Sequence, residues 1–261
     1  MIRIKNKKKY GQHFLNNEEV AVRIVNLLSE KSNIIEIGPG KGVLTKYLLN
    51  EKIDNFIVNE IDNDCIFYLK EHFPNNLKII HEDVLNIDFS LLFKSKFSII
   101  SNLPYYISSQ ILFKILDNRL IISEFVILIQ KEVGERICSN YNNKSYGILS
   151  VLMQTYFNLN LEFIVDPISF NPKPKVYSAV VKGIRNKVID IGVDYNFYKK
   201  IIKQSFQNRR KTLRNSLKNL NLPLVFIKND IFSKRAEQLK ISEFIWLANE
   251  IKKINHEILP N

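Results

Sequence analysis

The chain has 261 residues, 46% of them apolar, with 17 Phe and 11 Tyr, which is enough to bury a large core and excludes wholesale disorder. Two cysteines, Cys65 and Cys138, and four scattered histidines exclude a disulfide scaffold and offer no Cys/His metal spacing, so no metal is expected and the thiols read as packed residues of a reducing compartment. The net charge of +12 is segregated: residues 1–10 carry five basic residues and no acid, residues 11–187 carry nineteen of each sign, and residues 188–261 carry fourteen basic against seven acidic, a placement that fits a bound polyanion better than general solubility.

In chain order, residues 1–10 read as a basic arm, ordered on binding. Asn17-Glu18-Glu19 opens a helix with Val20, Ile24, Leu27 and Leu28 on one face. A short apolar strand over 33–37 ends in Gly38-Pro39-Gly40-Lys41-Gly42, and a helix follows with Val43, Leu44, Tyr47 and Leu48. Such glycines let the backbone approach a ligand, and the helix start behind them is electropositive. The spacing excludes two familiar nucleotide turns. Val43 stands where a dinucleotide fingerprint has its third Gly, and no Gly-Lys-Ser/Thr follows for a P-loop. What remains is G-x-G-x-G, the turn of methyltransferases that use S-adenosylmethionine (SAM).

The second strand, 55–59, reaches Glu60, placed to accept from both hydroxyls of a ribose. The third, 77–81, leads to Asp83, placed to accept from an adenine amine. The fourth, 97–100, runs into Ser101-Asn102-Leu103-Pro104-Tyr105-Tyr106. There an amide acceptor, a rigid Pro and an aromatic face suit a planar ring with an exocyclic amine. The fifth, 125–129, leads to Gln130. Polar residues after successive strands mark the ligand crevice of a doubly wound sheet. A hairpin, 157–165 with 176–182, is expected at the sheet edge. The fold class expected is α/β: a doubly wound, mostly parallel Rossmann-like SAM-methyltransferase sheet, with a small all-helical C-terminal domain.

From about Val188 the strand pattern stops. Residues 195–220 read helical, with Ile202, Phe206, Leu213 and Leu217 on one face and Lys199, Lys203, Arg210 and Arg214 beside it. Arg209 then falls on the apolar face, so either the helix breaks near Asn208 or its guanidinium is buried and paired. Arg209, Arg210, Lys211 and Arg214 together are the candidate phosphate-contacting patch. Residues 223–256 read as two helices with Ile241, Ile245, Trp246 and Ile251 as core. The division is residues 1–187 as a methyltransferase domain and 188–261 as a helical RNA- or ribosome-binding domain. The longest uncharged stretch, 97–113, is too polar to span a bilayer, so a cytoplasmic protein with no membrane partner is expected.

These residues resemble one family, the KsgA-type ribosomal RNA adenine N6-dimethyltransferases. The motifs that carry the resemblance are Gly11-Gln-His-Phe-Leu15, Glu36-Ile-Gly-Pro-Gly-Lys-Gly-Val-Leu-Thr45, Asn102-Leu-Pro-Tyr105 and Gln130-Lys-Glu-Val133. Tyr146-Gly-Ile-Leu-Ser-Val151, Phe170-x-Pro-x-Pro-Lys-Val176, Ser178-Ala-Val-Val181 and Asn208-Arg-Arg-Lys-Thr-Leu-Arg-Asn-Ser-Leu217 follow in family order. The resemblance implies SAM-dependent N6-dimethylation of two adjacent adenines in the 3′-terminal hairpin loop of small-subunit (16S) rRNA. It implies the immature small ribosomal subunit as partner, a role in its biogenesis, and a monomer. Carried over, His13, Leu15, Gly38, Gly40, Glu60, Asp83 and Asn102 would line the cofactor site. Asn102 and the Leu103 carbonyl would hold the target amine, Pro104 would set their geometry, and Tyr105 and Phe170 would stack on the extruded base. Ser101 stands where the family often has Gly, which would tighten the cofactor's approach there.

Overall fold

The computed structural model describes residues 7, 11–188 and 190–258. Apart from Lys7, the expected basic arm lies outside them. The chain divides into two compact units: Met1–Glu135 with Phe157–Arg185, and Arg136–Tyr156 with Asn186–Asn261.

The first unit opens with β1 (Phe14–Leu15) and α1 (Glu18–Asn26). Asn17 caps α1 by accepting from Val20 N, Glu18 and Glu19 face the positive end of its dipole, and Ala21, Ile24 and Val25 are buried. β2 (Asn33–Ile37) is buried along its whole length, as a central parallel strand must be. α2 (Val43–Leu48), β3 (Asn55–Glu60), α3 (Asn63–His72), β4 (Lys78–His81), β5 (Phe97–Asn102), α4 (Ser108–Asp117), β6 (Ile122–Gln130) and α5 (Lys131–Ile137) follow, then β7 (Phe157–Val165), β8 (Phe170–Asn171) and β9 (Ser178–Arg185).

The main sheet has the order β4-β3-β2-β5-β6-β9-β7. The first five of these strands are parallel, and β9 lies antiparallel between β6 and β7. The expected hairpin is present with its second strand innermost. The order reverses between β2 and β5, which opens a crevice at their carboxyl ends. A buried ion pair fastens the sheet to α1. Glu124 on β6 accepts from Ser29 N at 2.7 Å and Glu30 N at 2.6 Å. Lys182 on β9 lies 3.5 Å from the same carboxylate and donates to Leu27 O at 2.5 Å. A second, two-stranded sheet, β1 with β8, joins the segment before α1 to the Pro-rich loop at Phe14↔Asn171 and Leu15↔Phe170. Two-residue strands carry no periodicity, so the sequence did not announce it.

The second unit is helical: α6 (Ile148–Tyr156), α7 (Tyr195–Ser205), α8 (Leu213–Ser216) and α9 (Ile241–Ile258). Its make-up differs from the expected single boundary at 187/188, because residues 136–156 belong here. The cause is aromatic packing inside this unit. Tyr146 lies 6.2 Å from Phe206, Tyr156 lies 5.9 Å from Tyr195, and Thr155 Oγ1 is 3.1 Å from the Tyr198 hydroxyl. The continuous helix expected over 195–220 ends at Ser205, with Ile202, Phe206, Leu213 and Leu217 all buried as expected. Over 223–256 there is one helix rather than two, preceded by short 3₁₀ turns. The buried face of α9 is Phe244, Leu247, Ala248 and Ile251, at helical spacing, while Trp246 is 39% exposed.

Candidate active site

A cleft opens at the carboxyl ends of β2, β3 and β5 and beyond β4. It is lined by the 11–15 segment, the glycine turn, Glu36, Asn59, Glu60, Glu82, Asp83 and the run Asn102–Ile107. All the residues expected at a cofactor site, His13, Leu15, Gly38, Gly40, Glu60, Asp83 and Asn102, line this one cleft. Gly38 has φ +65° and no atom within 4 Å of where a Cβ would stand. Backbone conformation, not packing against protein, favours glycine there. Gly40, with φ +59°, is crowded instead, because a Cβ would come within 2.8 Å of the Phe14 ring.

Glu60 is the anchor of the turn. One carboxylate oxygen accepts from Gly40 N at 3.0 Å, and the other from Ile61 N and Asp62 N, both at 2.9 Å. Burial pushes its pKa up, and those three N–H groups oppose the shift. Asp83 spends one oxygen on Leu85 N at 2.9 Å. Glu36, on the central strand, was not singled out from the sequence, yet it lines the same cleft and is 1% exposed. The Thr45 hydroxyl donates to it at 2.6 Å. Burial, with the charge of Glu60 adding to it, raises its pKa to about 8. With Glu36 held largely protonated near neutral pH, Glu60, Glu82 and Asp83 make the cleft receptive to a cation, and a sulfonium bearing an adenosine meets that condition along with the ribose and amine acceptors.

The Glu36 shift has a consequence for stability. The unfolded glutamate ionises near 4.5 and the folded one near 8, so between those values the native state holds a proton that the unfolded chain has lost. Stability therefore falls as pH rises through that window. Glu36→Gln is expected to flatten the decline in Tm between about pH 5 and about pH 8, with a residual slope from Glu60, which is shifted in the same direction. Parallel thermal melts of the two proteins decide it; equal slopes would contradict the assignment.

His13 is a hub. Its Nδ1 donates to Pro172 O at 2.7 Å, its ring stacks on Tyr105 at 5.5 Å and 27°, and its carbonyl accepts from Asn102 Nδ2 at 3.0 Å. A carbonyl can only accept, so the Asn102 amide presents its NH2 to His13 and keeps Oδ1 as an acceptor. Leu103 N is taken by Leu128 O at 3.0 Å, and no described residue donates to the Leu103 carbonyl. Pro104, with φ −58°, turns the chain into a 3₁₀ turn over Tyr105–Ile107. The Tyr105 hydroxyl is 2.6 Å from Ser178 Oγ, which fixes the ring plane. Gln12 and Lys7, given no individual role in the sequence reading, clasp the buried Asp62 at 2.7 and 2.5 Å, and Lys7 also reaches Asp64 at 2.8 Å.

Two expectations change. Phe170 is 3% exposed, does not line the cleft, and packs in the core with Leu15, Ile24 and Val180, because its pairing with Leu15 turns the ring inward. Ser101 does not narrow the cleft either. It is fully buried and its hydroxyl donates to Ile37 O at 2.5 Å, tying β5 to β2.

Within the second unit the four candidate cations are exposed but differ in use. Arg209 donates to Lys144 O at 2.7 Å and Tyr146 O at 3.1 Å, so both alternatives raised for it hold in part: the helix breaks, and the guanidinium is paired. Arg214 donates to Ile227 O at 3.1 Å. Arg209→Ala is therefore expected to lower Tm, since each bond from a charged group contributes about 1.5–3 kcal/mol, whereas Arg210→Ala should leave Tm within a degree or so. Thermal melts of both variants check this; equal melting points would remove the distinction.

The model of the family described as ribosomal RNA adenine dimethylase matches residues 3–253. The ribosomal RNA small subunit methyltransferase A of Cytophaga hutchinsonii is 44% identical over 254 residues, 95% of this chain and 98% of that protein. The protein of the same description from Flavobacterium johnsoniae is 44% identical over 256 residues, 97% of this chain and 98% of its own. Among solved structures, a dimethyladenosine transferase from Plasmodium falciparum superposes with TM-score 0.82 at 26% identity, covering 93% of this chain and 98% of that one. The 23S rRNA methyltransferase ErmE shares the fold, with TM-score 0.67 at 20% identity over 93% of this chain and 99% of that one. With the G-x-G-x-G turn, the acidic strand ends at Glu60 and Asp83 and the Asn102–Tyr105 corner gathered in one cleft, and with the family model matched over nearly the whole length, the chain belongs to the ribosomal RNA adenine dimethylase family.

Proposed function

We propose that this protein transfers methyl groups from SAM to N6 of two adjacent adenines in the hairpin loop near the 3′ end of small-subunit rRNA, acting on the immature subunit and contributing to its biogenesis. The observation that carries this reading is the Asn102 amide, whose donor end is held by the His13 carbonyl so that Oδ1 stays an acceptor beside the Leu103 carbonyl.

The residues suited to SAM are Glu60 for the ribose hydroxyls, Asp83 for the adenine amine, and the Gly38–Gly40 turn for close backbone approach. Leu15 and His13 line the same cleft. When bound, SAM supplies an electrophilic methyl on a sulfonium. The chain's task is to present the nucleophile. An adenine amine is a poor one because its lone pair is delocalised into the ring. Two acceptors, Asn102 Oδ1 and the Leu103 carbonyl, take its two hydrogens and favour a pyramidal nitrogen whose lone pair faces the methyl. Rate comes from position and fixed dipoles, and no strong general base is required. The target base leaves its stack at a cost of a few kcal/mol, and the Tyr105 face turned away from His13 can recover part of it. Phe170, packed in the core with Leu15, has no free face for a base. Arg210 and Lys211 are proposed as phosphate contacts. Among the described residues no helix is long and apolar enough to cross a membrane.

The test of target position is nuclease fragmentation of unmethylated small-subunit rRNA after reaction, with mass analysis of the fragments. Two adjacent dimethyladenines in the 3′-terminal hairpin loop are expected. Modification confined to another helix would refute the assignment while leaving the chemistry intact.

A further inference from the structure

From residue 195 to residue 229 the chain carries nine basic residues and no acid. Inside that stretch the structure builds a firm turn with an apolar tip. Leu224 is 76% exposed and Val225 83%, two adjacent aliphatics held out in solvent. Single exposed aliphatics are ordinary, but a neighbouring pair on a braced turn calls for an explanation. The bracing is visible. Ile227 N donates to Pro223 O at 3.1 Å and Asn229 N to Phe226 O at 3.1 Å. The Phe226 ring packs on Phe232 at 5.1 Å and on Trp246 at 6.0 Å, and Arg214 holds the Ile227 carbonyl at 3.1 Å. Beside the tip runs a groove whose walls include Arg214, Asn215, Lys218, Asn221, Leu222 and Ile227. Its only ionisable walls are cations.

We infer that the turn 222–228 is a second RNA-docking element, separate from the catalytic cleft, in which Leu224 and Val225 lie against the sugar edges of the wide, shallow groove of an rRNA helix while Arg214 and Lys218 hold its phosphates. Shape and backbone, not base sequence, are what such a groove offers to a protein. Charge complementarity selects the occupant: a groove whose ionisable walls are Arg214 and Lys218 fits a polyanion, and the aliphatic pair supplies the contact that a purely electrostatic surface lacks. The inference rests on the proposed rRNA substrate and adds to it a contact outside the hairpin that is methylated.

The test uses the full chain and unmethylated small ribosomal subunits, with affinity measured at several salt concentrations. The double variant Leu224→Ser, Val225→Ser changes only exposed side chains and should fold normally. It is expected to bind about tenfold more weakly with an unchanged salt slope, because no phosphate contact is lost. Lys218→Ala should instead reduce the slope of log affinity against log salt by about one. Hydroxyl-radical footprinting should show one rRNA segment, outside the 3′-terminal hairpin, that the wild type protects and the double variant does not. Wild-type affinity in the double variant would overturn the inference. So would weakened binding with an unchanged rRNA footprint, which would assign the tip to a ribosomal protein, or tip-dependent binding to vesicles containing phosphatidylglycerol with no loss on subunits. Absence of methyl transfer by the wild type in the same preparation would refute the proposed reaction without deciding the docking element, which the footprint reads separately.

Discussion

Asn102→Ala should lower methyl transfer by a factor of about a thousand, roughly 4 kcal/mol of transition-state stabilisation, while affinity for the small subunit stays within about twofold of wild type. The substitution removes the acceptor that holds one amine hydrogen, and it frees the His13 carbonyl whose bond to Nδ2 set the amide's orientation. Asn102→Asp sharpens the expectation. It keeps an acceptor, but places a carboxylate oxygen 3.0 Å from a carbonyl, a repulsive contact where a hydrogen bond stood. That variant is expected to be nearly as inactive as the alanine. Single-turnover rates with saturating SAM and subunits separate the step from binding; an Asp variant as fast as wild type would show that amide orientation is irrelevant.

Glu60→Ala should weaken SAM binding by about tenfold to a hundredfold, since on the proposed role it removes a charge-assisted bond to the ribose at roughly 1.5–3 kcal/mol, the capacity left to a carboxylate that already accepts from Gly40, Ile61 and Asp62 N. It also releases Gly40 N from its carboxylate partner, so the glycine turn is left with the Gly38 N bond to Asn59 O as its link to β3. Glu60→Gln is expected to fare little better, because an NH2 would then face either the Gly40 N–H or the paired Ile61 and Asp62 N–H groups. Calorimetric titration with S-adenosylhomocysteine reads the effect directly. A dissociation constant unchanged within twofold, in a variant with a normal melt, would remove Glu60 from the cofactor site.

The parallel core was legible because β2, β3, β5 and β6 are apolar runs bounded by glycine, acid or proline, and a ligand crevice at their ends follows from topology. Glu60, Asp83 and Asn102 could be named for the same reason: each stands where a strand stops. Glu36 could not. It sits inside a strand, and only the fold reveals that its carboxylate is buried beside the glycine turn with Thr45 as donor. Lys7 and Gln12 acquire a role through Asp62, some fifty residues away, and no local pattern reports such a distance. The helical unit was the harder half. Its short 3₁₀ turns lack a repeat, and the 136–156 segment, which follows from α5 and runs into β7, joins the other helices through Tyr146 and Tyr156. Phe170 illustrates the limit of motif transfer. The motif is present and in order, yet the pairing of β1 with β8 buries the ring.

The measurement that bears most directly on the whole account is methyl transfer from labelled SAM to unmethylated small subunits, with large subunits and naked DNA in parallel and mass analysis of the digested nucleosides. N6,N6-dimethyladenine from the small subunit alone is the predicted result. Label in the large subunit, or tight subunit binding with no label in any nucleic acid, would contradict it.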